Sequence, residues 1–419
     1  MKIKQITEQE FNHFSINHKY HSYYQTSSYG NLMSNYGLNP LYLGIYENSQ
    51  LIGASLILSK PTVLGFKYGY APRGLLIDYE DYTKVIEIIN DLKSYLLKDR
   101  FVLLKIDPLV IKSIRKSDGT TLEGNYHYNN IIDTLKEAGF FHCGFSSAFE
   151  SVKPRWQAIL ELNQEKEKLF NSFSKQVRSK IRKASRLGIE IIQDNNALEK
   201  IYSFIEKKGN YSYKYYKDLT NYFDNKLEIY IAKLNTEQYV EGSREAYEKE
   251  LEYNNYLSDI IGRDGYKGKN MKEMLNKKIE SDKLLAIYKN YLVNSIELLK
   301  NNPDGIIIGG TIIIKSGNTI NLLMEGYDPN FSKYNSLYLS KWEIIKKYLN
   351  SKYEYFNMNA IVDNFDKQNE QYKGLNDAKL GFSTKAYEFI GEFNLIINSP
   401  IYSLYKNSIT KDSIKNIKK

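Results

Sequence analysis

The chain has 419 residues, with 58 Lys and Arg against 49 Asp and Glu, for a formal net charge of +9. That length accommodates two or three domains with cores of their own, and 42% hydrophobic with 26% charged residues excludes global disorder. One cysteine, Cys143, and five histidines exclude a disulfide scaffold and supply too few soft ligands for a zinc or iron–sulfur centre, so no metal is expected.

In chain order, residues 1–6 alternate like a strand and lack the apolar core of a signal peptide. Thr7 and Glu10 have capping-box spacing. Residues 41–58 read as a hairpin turning at 47–50. Val85, Ile88, Ile89, Leu92 and Leu96 give residues 79–97 a helical period. Residues 101–106 form a short buried strand halted by Asp107-Pro108; 131–138 predict a helix and 156–162 a strand. Further on, 227–234 predict a strand, 305–315 and 319–324 a hairpin, 334–349 a helix, 353–358 a strand and 387–397 one more strand. Short strands mixed with helices predict α/β architecture with mixed sheets. The segments 51–60 and 307–316 both run Ile-Gly, a small residue, a small polar residue and three aliphatics, which reads as a duplicated domain.

Residues 237–300 differ in kind. They contain no proline, and Met271, Met274, Leu285, Tyr288, Leu292 and Leu299 roughly follow helical spacing. A glycine-rich break at 262–268 makes this an antiparallel helical hairpin inserted in the second domain. The expected division is a first domain at 1–150, a second at 151–236 and 301–400, the arm at 237–300 and a basic tail at 401–419. The longest apolar run, 306–314, is too short to span a membrane. A cytoplasmic location is expected.

The charge is uneven. Lys175, Arg178, Lys180, Arg182, Lys183 and Arg186 fall within twelve residues that hold no acid, and Val177 and Ile181 mark one apolar face. Such a helix is either a solvated surface or a phosphate-binding one, since clustered cations on one face neutralise a polyanion and release its counterions. The tail carries Lys406, Lys411, Lys415, Lys418 and Lys419 against Asp412, suiting an anionic membrane or simply a frayed end. There is no P-loop, no Gly-x-Gly-x-x-Gly after a strand and no Gly-x-Ser-x-Gly elbow. The pyrophosphate loop of CoA-dependent acetyltransferases is missing as well. His13, His18 and His21 cluster loosely and read as surface residues.

Several segments in order resemble the FemABX family of tRNA-dependent aminoacyltransferases that build peptidoglycan cross-bridges. They are 25–29 (Gln-Thr-Ser-Ser-Tyr), 72–79 (Pro-Arg-Gly-Leu-Leu-Ile-Asp-Tyr), 105–108 (Lys-Ile-Asp-Pro), 138–145 around Gly139-Phe140, 341–345 (Lys-Trp-Glu-Ile-Ile), 379–382 (Lys-Leu-Gly-Phe) and 388–393. The helical arm resembles that of the FemA-like branch. Leu75 stands where the family has proline, and Lys214 where it has arginine.

The resemblance implies two acetyltransferase-like (GNAT-like) domains and an aminoacyl-tRNA donor, with no cofactor. It also implies a lipid II or UDP-linked muropeptide acceptor, and action at the inner membrane face by a monomer or homodimer. Glycine is the expected residue transferred, with alanine, serine or a small-metabolite acceptor as alternatives and a non-catalytic RNA-binding scaffold as a distant one. The chemistry is attack of an amine on an ester. A lysine-like amine of pKa about 10.4 is neutral in only about one molecule in 2,500 at pH 7, and the tetrahedral oxyanion needs a partner. The resemblance implies Lys379 for the oxyanion and Asp107 for the substrate ammonium or its proton. It implies Arg73 with Lys214 for the diphosphate. Gln25, Tyr29, Tyr70 and Tyr215, with Tyr211, Tyr213 and Tyr216, would line the groove, and the basic helix would hold tRNA.

Overall fold

The computed structural model describes residues 1–404, except 123, 125, 126, 147, 148, 207–210, 263–268 and 366–369. The tail lysines, and most of the expected break in the arm, lie outside the described residues.

The first half runs β1 (Lys2–Gln5), α1 (Glu8–Ile16), α2 (Ser27–Ser34), β2 (Asn39–Glu47), β3 (Gln50–Pro61), β4 (Lys67–Ala71), α3 (Tyr82–Lys98), β5 (Phe101–Ile106), β6 (Ile111–Arg115), α4 (Tyr128–Glu137) and β7 (Phe140–His142). Thr7, Thr26 and Asp81 start α1, α2 and α3 by accepting a free backbone N–H of the first turn. The second half runs β8 (Trp156–Glu161), α5 (Lys166–Ser172), α6 (Lys175–Arg186), β9 (Ile189–Gln193), α7 (Leu198–Ile205), α8 (Tyr213–Phe223) and β10 (Leu227–Leu234). It continues with α9 (Thr236–Ile261), α10 (Lys269–Asn301), β11 (Ile306–Ser316), β12 (Thr319–Tyr327), α11 (Ser336–Tyr348), β13 (Tyr355–Ala360), α12 (Glu370–Leu380), β14 (Lys385–Phe389) and β15 (Phe393–Ile396).

Two sheets result. The first has the order β1-β2-β3-β4-β5-β15-β7; the second, read from its other edge, has β9-β10-β11-β12-β13-β8-β14-β6. The pairing sense repeats. Three antiparallel pairs (β1–β2, β2–β3, β3–β4) precede the parallel pair β4–β5, just as β9–β10, β10–β11 and β11–β12 precede the parallel pair β12–β13. A crossover helix joins each parallel pair, α3 in one sheet and α11 in the other, as parallel strands require. The similar segments 51–60 and 307–316 become the equivalent strands β3 and β11.

The sheets also exchange strands. β6, from the first half, pairs with β14, while β15, from the end of the chain, pairs with β5 and β7. The single strand expected over 387–397 is therefore two strands in different sheets. The chain turns between them at Gly391, φ +86°, and the buried Glu392. A shared core welds the halves: Phe11, Leu32 and Leu56 pack in one cluster with Ile201, Leu219 and Ile312. Outside this body α9 and α10 pack on each other as the arm, tied by Asn254 to Ser281 at 3.1 Å. None of the described helices is long and apolar enough to cross a membrane.

Candidate active site

A cavity of about 600 Å³ opens between the sheets, with Arg73 and Tyr24 on one wall and Ser316, Asn357 and Asn359 on the other. Each wall ends at a parallel strand pair.

On the first wall Asp107 follows β5. It is 2% exposed, and accepts hydrogen bonds from the Arg73 backbone N–H at 2.7 Å and the Tyr70 hydroxyl at 3.1 Å. The Arg73 guanidinium lies 3.5 Å from its other oxygen, donates to the Pro154 carbonyl at 2.8 Å and rests against the Phe389 ring. Burial pushes the Asp107 carboxyl up against the opposing pull of Arg73. Arg73 and Asp107 thus meet as expected, but they neutralise each other.

Lys214 does not join them. It is 66% exposed on α8 and pairs with Asp218 at 2.5 Å, so the structure does not assemble the two-cation diphosphate clamp. Gln25 is fully buried. Its amide is spent on the backbone of Leu56, at 2.8 and 3.1 Å, and on the Pro72 carbonyl at 2.8 Å; it positions the strand leading to Arg73 and has no group left for a substrate. Tyr29 and Tyr215 are buried in an aromatic cluster with Tyr24 and Tyr211, in which Tyr211 stacks on Tyr215 at 4.1 Å. Tyr216 belongs to it edge-on, and Tyr213 packs beside Tyr202. Sequence reasoning missed Lys153, half-buried, whose amine sits 3.9 Å above the Tyr24 ring. It also misplaced His21. That ring is a cavity wall, held between Ser15 at 3.0 Å and Ser316 at 2.6 Å.

On the second wall β12 and β13 pair only from Thr319 to Asn321 and then diverge. Lys379, in the last turn of α12, donates to the carbonyl of Ala360 at 2.7 Å, at the far end of diverging β13. Burial holds its amine down at about 8, with Glu325 pulling it up and Lys341 pushing it down. Glu325 itself, on β12 past the divergence, is bound by Lys341 at 2.5 Å. Among the described residues, then, Lys379 is a half-buried ammonium that holds a backbone carbonyl and no carboxylate, and its partner Ala360 follows Asn359 of the cavity wall.

The basic helix abuts this wall. Val177, Ile181 and Ala184 pack into the second core, and the Ser174 N–H donates to the Gly381 carbonyl at 2.9 Å, two residues from Lys379. A Cβ on Gly381 would lie 2.7 Å from Val177, so glycine is what lets the helix approach so closely. Lys180 donates to the Tyr338 hydroxyl at 2.9 Å, Arg178 to the Asn171 carbonyl at 2.6 Å, and Arg182 lies over the Phe170 ring. Lys175, Lys183 and Arg186 are exposed.

The profile of the FemAB family matches residues 6–408. The chain is 25% identical over 430 residues to the aminoacyltransferase FemA of Staphylococcus aureus strain MW2, covering 97% of each. A crystal structure of FemX superposes with a TM-score of 0.73 at 20% identity, covering 96% of this chain and 99% of that one.

Proposed function

The chain belongs to the FemAB family and is an aminoacyltransferase, and we propose that it transfers glycine from glycyl-tRNA to the stem peptide, or growing bridge, of lipid II. The observation that carries this reading is Lys379: a half-buried amine with no carboxylate partner among the described residues, past a strand divergence, in a segment hydrogen-bonded through Gly381 to the start of a helix of six cations. An ammonium drawn back from solvent and held by a single carbonyl is suited to the oxyanion that forms when an amine attacks an ester. The neighbouring helix supplies the sequence-independent phosphate contacts that tRNA needs. Arg73, held from behind by Asp107, lines the opposite wall of the cavity, where the acceptor peptide would enter, and Tyr24 adds an aromatic surface.

The order of events follows. The acceptor amine approaches the ester carbonyl across the cavity. Its nitrogen bonds to the carbonyl carbon, and the resulting oxyanion pairs with Lys379. The intermediate collapses with loss of the tRNA 3′-terminal ribose hydroxyl, and the surplus ammonium proton passes to that leaving oxygen. The ester is already activated, so the step draws on no further energy source.

The test mixes enzyme, charged tRNA and lipid II and reads product mass. A gain of one or more glycine residues is expected. No gain with glycine, alanine or serine overturns the reading, and a gain with alanine or serine alone corrects the donor.

A further inference from the structure

An aminoacyl ester differs from an acetyl group in carrying an α-ammonium, and the site must hold that charge as well as the oxyanion. We propose that Glu325, held in place by Lys341, is the residue that binds the α-ammonium of the aminoacyl donor and rejects donors whose amine is blocked. This rests on the reading of the divergence beside Lys379 as the donor site.

The position of Glu325 follows from the strands. β12 leaves β13 after Asn321, and Leu323 is then bulged out of the ladder, because Leu322 pairs with Ile313 while Met324 pairs with Ile312. A bulge re-aims the side chains that follow it. Glu325 next pairs with Thr311, whose hydroxyl contacts Ser340 of α11 at 2.8 Å; cross-strand partners share a face, so Glu325 faces α11. There Lys341, 2% exposed, reaches it at 2.5 Å.

Lys341 occupies one carboxylate oxygen, and among the described residues no donor reaches the other. A carboxylate offers about four acceptor positions, so capacity remains. The Glu325 side chain is 23% exposed, whereas Asp107 is sealed against Arg73 and Tyr70. The Lys341 amine that holds Glu325 lies 5.9 Å from the ring of Phe382, three residues past Lys379, so the carboxylate and the Lys379 ammonium belong to one cluster, and each is felt by the other's charge. That is the pairing one aminoacyl group needs. Its carbonyl oxygen and its ammonium nitrogen sit on adjacent carbons, so their binding groups must also be neighbours. Without Glu325 the ammonium would enter a site where the described residues offer two lysines and no acid to offset them, a desolvated charge without a partner. Lys341 fits the role of a positioning residue: it fixes the Glu325 rotamer without filling its outer oxygen.

The probes are RNA acceptor-stem hairpins ending in 3′-amino-3′-deoxyadenosine that carries glycine through a stable amide. One has a free amine, one is N-acetylated, and a third is uncharged. The wild-type protein is expected to bind the free-amine hairpin about tenfold or more tighter than the acetylated one, the worth of a charge-assisted hydrogen bond. Glu325→Gln, which keeps an oxygen for Lys341, should erase that preference and leave uncharged-hairpin binding unchanged; the latter also reports folding. Glu325→Asp, with the charge withdrawn by one methylene, should shrink the preference. Survival of the full preference in Glu325→Gln, or its absence from the wild type, overturns the inference. If the wild type binds the uncharged hairpin as tightly as both aminoacylated ones, the donor reading falls, and Glu325 with it.

Discussion

At the scale of single residues, the two walls of the cavity treat charge in opposite ways. Asp107 and Arg73 are buried together as an ion pair, while Lys379 has only a backbone carbonyl as its partner among the described residues. Removing one member of a buried pair strands the other. Arg73→Ala is therefore expected to cost about 3–5 kcal/mol of stability, read as a lowered denaturation midpoint. Lys379 should show the reverse. Its folded pKa, about 8, lies below the unfolded value, so the folded state resists protonation, and below pH 8 the penalty for burying the charge is present in full. Lys379→Met should then raise stability near pH 7 by about 1–2 kcal/mol while lowering kcat about 10²–10³-fold. As the oxyanion partner Lys379 must be protonated, so activity should fall as pH rises through about 8. Lys379→Arg, if active, should move that limb to higher pH. A stabilised but equally active Lys379→Met would remove the residue from the mechanism.

At the scale of elements, the basic helix is where charge and packing separate most cleanly. Val177, Ile181 and Ala184 face the core, whereas Lys175, Lys183 and Arg186 stay in solvent. Changing those three to glutamine should leave the fold intact and reduce the slope of log K against log salt for RNA binding by about two. An unchanged slope would show that this face does not carry phosphate contacts. This helix was legible because its period and its lack of acids are local facts of sequence, as were the β2–β3 hairpin, the β11–β12 hairpin and the arm. The strand exchange was not. Residues 387–397 are rich in aromatic and aliphatic residues throughout; only Gly391 marks the turn, and the partners of β14 and β15 lie hundreds of residues away. The site was legible in part for the same reason. Lys379, Arg73 and Asp107 sit in recognisable segments. That Gln25 is a buried brace, that Lys214 is tied to Asp218, and that Glu325 faces Lys341 are tertiary facts with no local signal.

At the scale of the whole molecule, the two halves act as one body. They share a core, exchange strands and enclose the cavity between them. His21 is a polar link across that boundary, connecting α1 to the end of β11. The geometry fixes its tautomer. Ser15 has a single hydroxyl proton, committed to the Gln25 carbonyl at 2.5 Å, so it can only accept from His21, and Nδ1 carries the hydrogen. Nε2 is then left to accept from Ser316 at 2.6 Å. This chain needs a neutral imidazole, and burial enforces one by holding the His21 pKa down at about 4, below the unfolded value of about 6.5. Between those two values the unfolded state binds the extra proton, so stability falls as pH drops from about 6.5 towards 4 and levels off below. The wild type should therefore lose about 1–2 kcal/mol more than His21→Gln between pH 7 and pH 4, measured as unfolding free energy in urea. His18 is held down in the same direction and stays in both proteins, as do the titrating carboxylates, so the difference isolates His21. Parallel stability–pH curves for the two would mean that the ring is equally free to protonate in the folded state, and the interdomain link would then be a contact without a proton requirement.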